Sequence, residues 1–172
     1  MSIIDQRQSV RKFDERPVEA SKVVSMVQAG MAAPSSKNKQ PFQFIVVDDL
    51  DMIAEFTEIH PSWKGLKTAN KIIVACGDKS RDERDAQMLM AVSAATQNML
   101  LRGVELGLGT VWIGMYPDEV RMEYAVKRLG LPKHIVPISI VAIGYNDNVK
   151  EKVRDLNPER IKFNGWQETA GQ

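Results

Sequence analysis

The chain is poor in the residues that most often carry cross-links or nucleophilic chemistry. It has one cysteine, Cys76, and two histidines, His60 and His134. One thiol cannot close an internal disulfide, which favours a reducing cytoplasm. Cys76 ends the apolar run Ile72-Ile73-Val74-Ala75-Cys76 and is read as a buried small hydrophobe, not a reactive thiol. The histidines are far apart and sit in no ligand pattern, so no zinc site is expected. No apolar run approaches the length of a membrane span. The first residues, Met1-Ser2-Ile3-Ile4-Asp5-Gln6, lack the basic-then-apolar order of a secretory signal. An excess of one charge is missing too. Lys and Arg number 23 against 22 Asp and Glu, a formal net charge of +1, so no global field recruits DNA, RNA or an acidic membrane. Any affinity for an anion must be local. Linkers, internal repeats and low-complexity stretches are also absent, so residues 1–172 are read as one domain, long enough to bury a substantial core.

What is present is an alternation of helical and strand patterns. Ala20, Val23, Val24, Val27 and Met31 follow the helical period, which predicts a helix over Val18–Ala32, between Pro17 and Pro34. Strands are expected at Phe44–Val47, Ile72–Cys76, Thr110–Ile113 and Ile135–Ile143, and a helix at Met52–Glu58. Asp118 should cap a helix running to Leu129, with Gly130 ending it. Ala86–Leu106 is helical and apolar on almost every face. Such a helix must be enclosed, either in a dimer interface and the core together or by its own chain's neighbours. The polar tail Asn146–Gln172 has only Ile161, Phe163 and Trp166 as scattered anchors, and either frays or wraps a partner.

Two polar, cation-bearing segments flank the first helix. In Arg7-Gln8-Ser9-Val10-Arg11 the two arginines and the serine alternate, so an extended backbone points them to one side. Guanidinium forks match phosphate oxygens, and a hydroxyl adds a short donor. Alone, the segment could equally be a solvated basic edge. In Ala33-Pro34-Ser35-Ser36-Lys37-Asn38-Lys39-Gln40-Pro41, Ser35, Ser36, Asn38 and Gln40 offer donors and acceptors suited to a flat ring's carbonyls and imide, and the prolines stiffen both ends. Alone, it could be an ordinary turn. Gly107-Leu108-Gly109-Thr110 follows a helix and precedes a strand, the reverse of a dinucleotide loop. Gly114 ends a strand, where bare backbone could meet a flat ring or could merely precede Pro117.

In chain order these motifs are Arg-x-Ser-x-Arg-x-Phe, Ala-Pro-Ser-Ser-x-Asn-x-Gln-Pro-Phe, an Ala-Ala-Thr-Gln-Asn helix, Gly-Leu-Gly-Thr-x-Trp-Ile-Gly, and the tail Pro158–Trp166. Together they closely resemble the nitroreductase family of FMN-dependent oxidoreductases, in its shorter form. The resemblance implies an α+β fold, a mostly antiparallel sheet flanked by helices, and a homodimer with the long helix at its interface. FMN would lie in two clefts between subunits. Arg7, Gln8, Ser9 and Arg11 would hold its ribityl and phosphate groups, with Arg160 a further phosphate contact. Pro34, Ser35, Ser36 and Asn38 would come from the other subunit, and the Ile113–Gly114 backbone would sit beside flavin N5. NADH or NADPH would reduce the flavin, which would then reduce a nitroaromatic, quinone or similar conjugated acceptor. Reductive dehalogenation, flavin fragmentation and non-catalytic FMN binding are the alternatives on this fold. No side-chain acid or base is nominated. Two departures bear on the acceptor: Ala91 and Val92 stand where related sequences often carry an acid, and Lys79–Asp85 leaves no room for a lid insertion.

Overall fold

The two central strands are apolar along most of their length, and the structure buries both of their faces. It is a computed structural model, and it describes residues 2–148 and 155–166. Strands β1 (Phe42–Val47), β2 (Lys71–Asp78), β3 (Gly109–Gly114) and β4 (Ile135–Gly144) form one sheet in the order β1-β2-β4-β3. Every neighbouring pair is antiparallel. Along β2, Ile72, Val74 and Cys76 face one layer while Ile73 and Ala75 face the other; along β4, Ile140 and Ala142 oppose Val141 and Ile143. This is the two-residue period of a strand, used twice because helices cover both sides.

Four helices supply that cover: α2 (Ala20–Met31), α3 (Leu50–Ile59), α4 (Asp85–Glu105) and α5 (Glu119–Leu129); a short α1 (Ile3–Gln6) buries no residue and lies against α4. Ile53 and Phe56 of α3, Ala125 of α5 and Trp63 pack on the first face. Met26 of α2 and Met88, Val92 and Met99 of α4 pack on the second. Each such Ile, Val, Met or Phe side chain, fully buried, contributes about 1.5–3 kcal/mol from lost apolar surface. Cys76 is fully buried, and that burial pushes its thiol up to about 12.

Most boundaries lie within two residues of expectation, and the differences have local causes. Helix α2 begins at Ala20 because Val18 is tied elsewhere: it is 3% exposed, and its N–H donates to Asn70 Oδ1 at 2.8 Å. Strand β2 runs on to Asp78 because Gly77 is paired on both sides, to Phe42 and to Val136. Helix α5 has the expected Asp118 cap, whose Oδ1 accepts from Arg121 N at 3.1 Å, and ends at Gly130 with φ 62°. Four elements were not expected: α1, with Ser2 and Asp5 capping each other, and 3₁₀ turns at Ser36–Asn38, Pro61–Leu66 and Pro158–Arg160.

Helix α4 is not enclosed by its own chain. Met88, Ala91, Val92, Ala95, Met99 and Leu100 are buried, yet Met90 is 58% exposed and Leu89, Ala94 and Leu101 are only half-buried. Phe163 and Trp166 are 78% and 83% exposed, so they anchor nothing within this chain. The rest of the expected tail, 149–154 and 167–172, lies outside the described residues. Among those described, no helix is long and apolar enough to cross a membrane, and no group of three or more His, Cys, Asp or Glu could hold a metal.

Candidate active site

Arg7 to Arg11 lies along the free edge of β3. Ser9 makes a parallel bridge to Thr110, and Val10 N–H donates to Thr110 C=O at 2.9 Å. Val10 is 8% exposed, turned inward, while Ser9 and Arg11 are exposed on the other side and Arg7 is half-buried. The alternation expected from the sequence is therefore present.

At the far end of β3 the same edge carries Gly114. Gly114 lies opposite Ser139, and the next residue, Met115, donates its N–H to Ile138 C=O at 2.9 Å. Bonded and non-bonded pairs alternate in an antiparallel ladder, so the N–H and C=O of Gly114 point away from β4. The C=O accepts from Arg121 Nη1 at 2.9 Å. A cavity of about 410 Å³ opens beside this peptide, lined by Arg11, Gly65, Trp112, Ile113, Gly114 and Arg121. A Cβ at Gly114 would meet no atom within 4 Å, so bare backbone borders open space.

Gln8 faces elsewhere. It lines a separate cavity of about 230 Å³ with Gln6, Val104 and the Gly107–Gly109 turn. Arg160 is exposed in the turn Pro158–Arg160 and lines neither cavity.

The second polar segment is held by an ion cluster around one buried carboxylate. Asp82 is 2% exposed; its carboxylate accepts from Arg84 Nε at 2.8 Å and Nη2 at 2.7 Å, and from Lys39 Nζ at 3.3 Å. These hydrogen bonds, Arg84's above all, hold its carboxyl well below the usual carboxylate range. Arg84 Nη2 also reaches Ser36 Oγ at 3.3 Å, and Ser35 Oγ accepts from Gln40 N at 2.8 Å. So clamped, Lys37, Asn38 and Gln40 take left-handed φ values of 52°, 52° and 49°.

One chain does not bring the two segments together. Arg84, which touches Ser36, precedes the first residue of α4, whereas Val104, beside Gln8, is near its last. The rise of an α-helix puts those ends roughly 30 Å apart. Gly114 and the start of β1 lie on opposite sheet edges, three strand spacings or about 14 Å apart.

Comparison with known proteins decides the kinship. The nitroreductase family model matches residues 4–60 and 56–145. A candidate NADH dehydrogenase/NAD(P)H nitroreductase of Archaeoglobus fulgidus is 36% identical over 170 residues, covering 96% of this chain and 98% of that one. This chain belongs to the nitroreductase family. It is an oxidoreductase. The crystal structure of another candidate NADH dehydrogenase/NAD(P)H nitroreductase, from Parabacteroides distasonis, is similar with a TM-score of 0.90 at 39% identity, covering 95% of this chain and 96% of that one. An FMN-dependent nitroreductase from Clostridium difficile is similar with a TM-score of 0.88 at 29% identity, covering 96% and 99%.

In this nitroreductase-family chain two residues of the cavity, Gly65 and Arg121, lie outside the sequence motifs. Arg121 sits in the first turn of α5, paired with Asp118 Oδ2 at 3.0 Å and lying 5.9 Å over the Trp63 ring. A cation in a first turn opposes the helix dipole, and that misplacement was the one cue available. The residues present suit a flat, anionic redox ligand: a guanidinium fork at Arg11, an outward peptide N–H at Gly114, and no side chain between that peptide and the cavity.

Proposed function

We infer that the chain is an FMN-dependent NAD(P)H oxidoreductase, working as a homodimer, with 1–172 as one FMN-binding domain. Arg7, Ser9 and Arg11 hold the phosphate and ribityl end, with Gln8 completing the segment and Arg160 adding a phosphate contact. Pro34, Ser35, Ser36 and Asn38 come from the other subunit. The Ile113–Gly114 main chain lies beside N5. When bound, FMN supplies the two-electron chemistry, taking hydride from NADH or NADPH and reducing a nitroaromatic, quinone or similar conjugated small molecule. The protein's own part is to bind, orient and bias the ring's charge. No side-chain acid or base is needed. The single, buried cysteine supports a cytoplasmic setting.

One observation carries this reading. Arg11 and the outward Gly114 peptide share a cavity that the Ser35–Asn38 loop of the same chain does not line. A second copy related by a two-fold axis solves that geometry, because each copy supplies what the other's cleft lacks. The names of relatives agree: one is an FMN reductase [NAD(P)H] of Bacillus subtilis.

The test is the visible spectrum of freshly purified protein, its mass in solution, and bleaching of the flavin band by NADH or NADPH without air. A colourless monomer that ignores added FMN overturns the reading. A yellow dimer that no nicotinamide reduces leaves a flavin-binding protein and removes the enzyme.

A further inference from the structure

We propose that Arg121, by the positive charge it holds in the cavity wall beside Gly114, sets how strongly the site prefers reduced over oxidised flavin; this rests on the FMN reading above. Three contacts fix its guanidinium. Nη1 donates to Gly114 C=O at 2.9 Å, Nε pairs with Asp118 Oδ2 at 3.0 Å, and the group lies 5.9 Å over the Trp63 ring. The side chain is 18% exposed, and Trp63 is fully buried, so this wall does not rearrange easily.

The placement is costly by itself. Arg121 is the third residue of α5, where the helix dipole disfavours a positive charge. Capping one carbonyl needs only a neutral donor, and at an open edge water would serve. What a cation adds is a fixed positive charge in the wall of the cavity. The amide that carries the Gly114 C=O has the N–H of Met115, already bonded to Ile138 C=O inside the sheet, so the charge of Arg121 acts on the cavity through space. Arg11 lines the same cavity, so two guanidinium groups raise its potential together. A flavin ring gains negative charge when it accepts hydride. Positive potential at its edge therefore favours the reduced form over the oxidised one. Asp118 offsets part of that field, which makes it a second lever of opposite sign.

The experiment compares wild type, R121M, R121K and D118N. Oxidised FMN affinity is measured by fluorescence quenching, and the reduced-to-oxidised balance by equilibration with a reference dye without air. R121M should lower the preference for reduced FMN about tenfold, which is about 30 mV for a two-electron couple. R121K, which keeps the charge, should stay within about threefold of wild type. D118N, whose amide still caps α5, should shift the balance toward reduced FMN. A folded R121M with the wild-type balance overturns the proposal, as does an R121K that falls as far as R121M, since shape and not charge would then matter. If R121M does not fold, D118N decides, and an unmoved balance there overturns it. A wild type that binds no FMN at all overturns the cofactor reading, and this inference with it.

Discussion

Val10 and Gly109 are in contact so close that no side chain fits between them: a Cβ at Gly109 would lie 2.8 Å from Val10 Cγ1 and 3.0 Å from Val10 Cβ. This contact seats the Arg7–Arg11 segment on β3, because Val10 is the residue whose N–H bonds Thr110. A valine side chain has little rotamer freedom with which to yield. G109A should therefore push the segment off the strand edge. Overpacking of this kind costs about 1–3 kcal/mol, read as a lower unfolding midpoint. FMN affinity should fall too, since Arg11 moves with Val10. A G109A protein with unaltered stability and FMN affinity would separate the segment from the site.

Arg11 can be tested without disturbing the core, because its side chain is exposed and the sheet does not depend on it. R11E reverses the charge facing the phosphate end. Hydrogen bonds to charged groups contribute about 1.5–3 kcal/mol, and every 1.4 kcal/mol or so is tenfold in affinity. The FMN dissociation constant should rise at least tenfold, while the melting temperature without FMN stays at the wild-type value. Unchanged cofactor content would remove Arg11 from the site.

The central strands and long helix were legible because burial on both faces leaves a plain apolar signature. Ile72 to Cys76 and Ile135 to Ile143 could hardly be anything else. The alternation of Arg7, Ser9 and Arg11 was legible for the same geometric reason. Helix α1 was not, since four residues carry no period, and its one signal was the Ser2–Asp5 cap. Nor was the shape of the Ser35–Gln40 loop. Lys37, Asn38 and Gln40 are not glycines, and their left-handed backbone is held by partners distant in sequence, Asp82 and Arg84 among them. Arg121 belongs to none of the motifs, and only the fold places it against Gly114.

Asp82 gives a prediction in pH. Its folded carboxyl titrates well below the ordinary carboxylate value of about 3.9, held there first by Arg84. A depressed folded value means the unfolded chain binds the proton more readily. The stabilisation is thus complete above the unfolded value and is lost as pH falls through the range below it. D82N should lower the melting temperature at pH 7 and at pH 5 alike, and its gap from wild type should narrow once pH drops below about 4. Thermal melts at pH 7, 5 and 3.5 read this directly. A gap of constant size would mean that the charge on Asp82 contributes nothing.

Met90 tests whether the second chain is needed. It is 58% exposed on α4, and Ala94 and Leu101 continue the same face half-covered. A two-fold interface meets each residue twice, so one substitution places two charges in the contact. M90D would bury carboxylates without partners, and an uncompensated buried charge costs about 3 kcal/mol or more. The dimer should weaken roughly a hundredfold, seen as a fall in solution mass at micromolar protein. The fold should persist, because Met90 is exposed and belongs to neither core cluster. FMN should leave as the dimer dissociates, since Ser35 and Ser36 then no longer reach the Arg11 cavity of a neighbour. A M90D monomer that stays folded and keeps its flavin would show that a single chain makes the whole site, and the two-chain cleft would be wrong.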